Sequence, residues 1–125
     1  MPQSIDVPGL AHKVPIPVGS RIGNVLCSSA IAGKDPATGK LAETPAEQVR
    51  LAFENVRRFL AAGGAALDHV VKLAVYVKDD SVREYIDAQW LALWPDAAHR
   101  PARHVTVYDL QHGMVIQLET LAVIA

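Results

Sequence analysis

One cysteine, Cys27, is all the chain has, so no disulfide can form within it and a secreted, bridge-stapled scaffold gains no support. No apolar run approaches the ~18 residues that span a bilayer as a helix, and no basic stretch followed by an apolar one opens the sequence. Neither sign of charge dominates: 12 Lys and Arg stand against 13 Asp and Glu, for a net charge of −1 without blocks of like charge. That disfavours a nucleic-acid partner gripped through its phosphates. The five histidines include no pair at metal-ligand spacing such as H-E-x-x-H, and one cysteine cannot build a thiolate site. Ser28 and Ser29 lack the G-x-S-x-G setting of a nucleophile, and Gly23, Gly33 and Gly39 form no phosphate-binding pattern. The expectation is a cytoplasmic protein that needs no metal and no cofactor, and binds neither membrane nor nucleic acid.

What remains is an ordinary globular composition. The 125 residues fit one domain, 1–125, with 50% apolar and 20% charged side chains. Residues 1–20 are rich in Pro and Gly and read as extended chain, with a short edge strand at Ser4–Val7. Arg21-Ile22 and Val25 to Ala32 read as two strands about a Gly23-Asn24 turn. In the second strand, alternation puts Cys27, Ser29 and Ile31 on one face and Leu26, Ser28 and Ala30 on the other. Cys27 reads as a buried small apolar residue. Asp35 to Gly39 is a loop by composition.

Thr44-Pro45-Ala46-Glu47 has the pattern of a capping box with proline at the first helical position. Val49, Ala52, Phe53, Val56, Phe59 and Leu60 then recur on one helical face, and Gly63-Gly64 stops the helix. Asp68 to Lys78 reads as a strand with Val71, Leu73, Val75 and Val77 on one side. Ser81 and Glu84 form a second candidate capping box, ahead of a helix running to about Trp94 whose Val82, Ile86, Trp90 and Leu93 face the sheet. Strands at His104–Asp109 and Met114–Ile124 close the chain. Strands, helix, strand, helix, strands give an α+β fold with both helices on one sheet face. The other face carries Val115, Gln117, Glu119, Leu121 and Val123, too apolar for bulk water, and is expected to meet other subunits.

Arg100-Pro101-Ala102-Arg103 is the stretch most suggestive of a site. Pro101 holds Arg100 extended and cannot donate a ladder hydrogen bond, so pairing is expected to begin just after it. Arg103 at the mouth of that strand can grip a small carboxylate through two parallel hydrogen bonds, or it can pair with an acidic side chain of its own chain. Gln117 and Glu119 are two apart and share a face. Glu119, amid apolar neighbours, is either a structural ion pair or a carboxylate that orients water beside a ligand. His104 points away from Arg103 within the strand, and His12 lies in the loop near Pro15-Ile16-Pro17.

The residues Gly23-Asn24-Val25-Leu26 with Ser28-Ser29, Asp35-Pro36-x-Thr38-Gly39, Gln48 with Asn55-Val56, Val75-Tyr76-Val77-Lys78-Asp79, Pro101-Ala102-Arg103 and Gln117-Leu118-Glu119-x-Leu121-Ala122 run in order along nearly the whole chain. In this the sequence resembles the reactive intermediate deaminase family, RidA or YjgF-like proteins. The resemblance implies a chorismate mutase-like fold: a six-stranded mixed sheet, two helices on one face, and a homotrimer with ligand clefts between subunits. It implies hydrolysis of enamines and imines such as 2-aminoacrylate to 2-keto acid and ammonia, without a cofactor. It also implies that Arg103 clamps the substrate carboxylate and that Ser28 and Ser29 help to line the cleft.

Two positions depart from the family pattern. Gln117 stands where its deaminases usually carry a water-positioning Glu, which leaves as alternatives Glu119 as a substitute or a one-residue gap in the Leu110–Gly113 turn that shifts the register, and Ile16 stands where a Tyr commonly lines the cleft. The competing reading, favoured by Gln117, is a trimeric small-metabolite binding or chaperone-like protein with little turnover. A ribonuclease is the least supported, given the near-neutral charge and the absence of a His/Lys catalytic pair.

Overall fold

Thr44 begins the first helix as its sequence directs. In the computed structural model, which describes residues 1–125, its hydroxyl accepts the Glu47 N–H at 3.2 Å and Pro45 opens α1 (Pro45–Ala62). The reciprocal half of the capping box is not made. Glu47 turns to Arg50 instead, 2.9 Å away, because an ion pair one turn on outcompetes a solvated backbone N–H. The helix buries Val49, Ala52, Phe53, Val56, Phe59 and Leu60 as read, and Gly64, at φ +79°, turns the chain out.

In chain order the strands are β1 (Gln3–Ile5), β2 (Gly19–Ile22), β3 (Val25–Ser28), β4 (Ile31–Ala32), β5 (Lys34–Asp35), β6 (Lys40–Leu41), β7 (Val70–Val77), β8 (Ala102–Val107) and β9 (Ile116–Val123). The main sheet runs β1-β2-β3-β9-β7-β8, with β4 continuing β3 along β9, so six positions span it. Neighbours are antiparallel except β7 and β8, which are parallel and joined by α2 (Arg83–Leu93), the crossover such a pair requires. β5 and β6 form a separate two-stranded ribbon. Leu26, Ile31, Leu73, Val75, Ile116 and Leu118 meet Phe53, Val56, Phe59 and Ile86 of the helices in one core. The α+β class, the mixed sheet and the one-sided helix layer are as the sequence indicated.

Four local expectations are corrected. First, strict alternation along 25–32 fails: Leu26 pairs with Ala122 but Ile31 with Leu118, so one extra residue is inserted and both apolar side chains face the helices. Second, a bulge in β7 puts Val70, not Val71, on the core face; Val71 is 50% exposed. Third, Asp79 rather than Ser81 caps the turn before α2, its carboxylate accepting the Ser81 N–H at 2.8 Å. A carboxylate is the stronger acceptor where two caps compete, and a 3-10 turn at Asp80–Val82 precedes the helix, which ends at Leu93. Fourth, Cys27 is exposed, on the sheet face that carries no helix, opposite Leu121.

That bare face holds Val25 and Cys27 of β3, Gln117, Glu119, Leu121 and Val123 of β9, Ala74 and Tyr76 of β7, and His104 of β8.

Candidate functional site

Pairing in β8 begins at Ala102, directly after Pro101, so Arg103 is the strand's second residue. Its register partner in β7 is Leu73, fully buried beneath the helices, which aims the arginine at the helix-covered face from the sheet's edge strand. There its Nη2 donates to Asp87 Oδ1 of α2 at 2.9 Å, and the guanidinium lies 4.9 Å from the centre of the Trp90 ring. The side chain is 23% exposed, and Nη1 is enclosed with no hydrogen-bond partner. Of the two roles open to Arg103 in the sequence, the folded chain shows the internal ion pair.

Gln117 sits at the other side of the sheet. With His12, Ala30, Ala32, Lys34 and Met114 it lines a pocket of about 200 Å³ between the N-terminal loop and β4. Its Nε2 has only Met114 Sδ within reach, at 3.4 Å, a weak acceptor that a ligand or water readily replaces. His12 and Lys34, far apart in the chain, both line this pocket. His12 Nδ1 lies 3.0 Å from the Ile16 carbonyl, and Ile16, 48% exposed, lines a shallow groove that adjoins through His12.

Glu119 projects from the bare face two residues beyond Gln117 and beside Tyr76. The Tyr76 phenol is held above its ordinary range, first by hydrogen bonding to the Glu119 carboxylate and then by that group's negative charge. Tyr108 meets Tyr76 edge-on with ring centres 6.2 Å apart. Gln117, Glu119 and Tyr76 thus form a polar cluster on the bare face.

The two serines are engaged internally. Ser28 Oγ accepts the Thr120 N–H at 2.9 Å and so closes the bulge between β3 and β4. Ser29 Oγ donates to the Pro17 carbonyl at 2.8 Å and ties down the loop that carries Ile16. They shape the wall next to the pocket, with the Ser28 hydroxyl hydrogen still available.

Two residues that shape the site were not singled out for it in the sequence. Gln48 and Asn55 interrupt the buried stripe of α1. The Gln48 amide donates to Gly113 O at 3.1 Å and accepts from Val115 N at 3.0 Å, pinning the turn that precedes Gln117. Asn55 Nδ2 donates to Ala32 O and Lys34 O at 2.9 and 2.8 Å, pinning the opposite wall. The available signal was two amides on an apolar helix face, which buried chain must satisfy.

The structure brings Gln117 and Glu119 to one face and leaves Arg103 apart from both. Gln117 is level with Thr106 across β7, while Arg103 lies three residues further along β8 and points to the opposite face. Two strand spacings make about 10 Å and three residues of strand about 10 Å more. A single chain cannot present all three to one small ligand. No group of three His, Cys, Asp or Glu side chains is placed to hold a metal ion, and no helix is long and apolar enough to cross a membrane.

A family model described as Endoribonuclease L-PSP matches residues 17–124. The chain is 33% identical over 107 residues to a 2-iminobutanoate/2-iminopropanoate deaminase of Salmonella typhimurium, covering 84% of each. It is 31% identical over 117 residues to a RutC family protein of Aquifex aeolicus, covering 89% of this chain and 94% of that one. Among solved structures, RidA from an Antarctic Psychrobacter species matches with a TM-score of 0.89 at 27% identity, covering 98% of this chain and 99% of that one. The YjgF gene product of E. coli gives 0.86 at 27% identity, with 97% and 98% covered. The chain belongs to the RidA/YjgF family, the one the Endoribonuclease L-PSP model describes.

Proposed function

We propose that this chain is a hydrolytic deaminase of reactive enamines and imines that carry a carboxylate, releasing a 2-keto acid and ammonia. The observation that carries the reading is the 33% identity over 84% of the chain to an imine deaminase, in a sequence that keeps Arg103. The working unit is a homotrimer of cytoplasmic single-domain chains. The bare sheet faces turn inward, which buries Cys27, Leu121 and Val123, and each cleft combines Arg103 of one subunit with Gln117 and Glu119 of the next. The separation of these residues within one chain supports a shared cleft.

The chemistry asks for placement more than for strong acids or bases. An enamine tautomerises to the imine, water adds to the imine carbon, and the carbinolamine collapses to the keto acid as ammonia leaves. Arg103 holds the carboxylate. The Gln117 amide orients the water, and Glu119, which alone of the two can accept a proton, takes one from it as the new C–O bond forms and returns it to the substrate nitrogen, which leaves as ammonia. Ser28, Ser29 and Ile16 complete the wall, and no cofactor enters.

A second reading, favoured by the amide at Gln117, is a metabolite-binding trimer with little turnover. Generating 2-aminoacrylate or 2-iminobutanoate enzymatically and following keto-acid release separates the two. Deaminase function predicts acceleration at micromolar protein that Arg103→Ala removes. Release at the spontaneous rate, with saturable binding of the keto acid, would establish the second reading. The RNA-directed name of the family model finds little support in a chain of net charge −1.

A further inference from the structure

Arg103 is not idle in the free chain, and its partner has a consequence for which acids it accepts. Its Nη2 is occupied by Asp87 Oδ1 at 2.9 Å, its face lies 4.9 Å from the Trp90 ring centre, and Nη1 is enclosed without a partner. The guanidinium is therefore held rigidly, in an orientation set by α2, with its most accessible edge already on a carboxylate. Asp87 is the more exposed member: its side chain is 56% exposed, against 23% for Arg103. No other basic side chain pairs with it.

We propose that Asp87 is a positioning residue that sets selectivity by competing with the ligand carboxylate for Arg103. An incoming acid takes the seat on Nη2 that Asp87 holds, and Asp87 swings toward solvent but stays tethered beside the site. Two effects follow from charge alone. Affinity for every carboxylate is lowered, because the grip presented to a ligand is a neutral ion pair and not a free cation. A ligand with a second negative group is penalised further, because it meets the displaced Asp87 carboxylate at close range. The site accordingly takes monocarboxylates with an uncharged remainder, of the 2-imino and 2-keto acid class, and releases the acid product quickly.

This inference rests on the reading of Arg103 as the carboxylate clamp, and the test keeps the two apart. Dissociation constants for pyruvate, 2-ketobutyrate and the dicarboxylate 2-ketoglutarate are measured by calorimetry on the full-length protein, Asp87→Asn, Asp87→Glu and Arg103→Gln. Asp87→Asn keeps a side-chain acceptor for Arg103 and is expected to fold, which thermal melting verifies. The expected result is roughly five- to twentyfold tighter monocarboxylate binding in Asp87→Asn, a still larger gain for 2-ketoglutarate, and wild-type values in Asp87→Glu. If Arg103→Gln loses binding while Asp87→Asn binds no more tightly, or gains equally for mono- and dicarboxylates, the role of Asp87 is overturned and the clamp stands. If Arg103→Gln binds as the wild type does, the clamp itself fails, and the role of Asp87 with it.

Discussion

Gln48 reaches from α1 to the turn before β9, donating to Gly113 O at 3.1 Å while its Oε1 accepts the Val115 N–H at 3.0 Å. The side chain is almost wholly enclosed, so no water can replace it. It fixes the backbone four and two residues before Gln117, which lines the pocket. Gln48→Leu leaves the Gly113 carbonyl and the partly buried Val115 N–H without their side-chain partner and empties a buried amide site, a polar loss that costs about 1–3 kcal/mol. We expect a loss of about 2 kcal/mol or more in urea unfolding, with a marked change in the amide resonances of 113–117. A variant as stable as the wild type would show that the turn holds itself.

How much of this was legible beforehand divides by range. Helix α1 was readable because Thr44, Pro45 and the apolar spacing act within one or two turns. The bulges were not, because their cause lies across the sheet. Val71 and Val70 are the same residue type, and only the pairing with Ala122 and Leu121 decides which of them faces inward. The site divides in the same way. Gln117 and Glu119 share a face by local periodicity, and so could be placed from the sequence. Arg103's acid lies 16 residues back on α2, and nothing local in Asp87 marks it as that partner. The two amides of α1 were visible as polar breaks in an apolar stripe, but which backbone groups they satisfy depends on how two distant turns fold over them.

Lys78 closes the end of β7 onto the chain leaving β8, its Nζ donating to Asp109 Oδ1 at 2.8 Å and to Leu110 O at 3.1 Å. The hydrogen bond from Lys78, then its charge, holds the Asp109 carboxyl below the usual range. A carboxyl depressed on folding contributes stability above its unfolded pKa, and that contribution disappears as pH falls through the folded value. Asp109→Asn is therefore expected to melt below the wild type at pH 7, with the gap closing as pH drops beneath the ordinary carboxylate range. The pair is largely exposed, so the gap is small. Melting curves from pH 2 to 7 test this, and a gap that widens in acid would reverse the assignment.

Glu119 raises the Tyr76 phenol by hydrogen bonding and by charge. Glu119→Gln removes the charge and keeps an acceptor, so the phenol should ionise at lower pH than in the wild type. Difference absorbance of the tyrosinate band follows the Tyr76 titration as it moves down. The same variant tests Glu119 as proton acceptor. If Glu119 serves the added water, keto-acid release falls by at least about tenfold while affinity for pyruvate holds. Loss of affinity with turnover unchanged at saturation would place Glu119 in binding and not in the proton transfer.

Leu121 lies opposite Cys27 at the middle of the face that no helix covers. A partly buried leucine, an exposed cysteine and Val123 in one patch lose little by packing against a copy of themselves, and the trimer proposed above needs that contact. Leu121→Asp sets a charge where three chains would converge, at a cost of several kcal/mol across the assembly. The wild type is expected to scatter light as three chains and the variant as one, with the variant still folded because the helix-side core is untouched. Cys27 provides an independent check. Its thiol, exposed in the single chain, is expected to react freely with a bulky maleimide there and slowly in the assembled wild type. A wild type that scatters as one chain with a reactive Cys27 would remove the shared cleft, and with it any route for Arg103 and Gln117 to meet on one ligand.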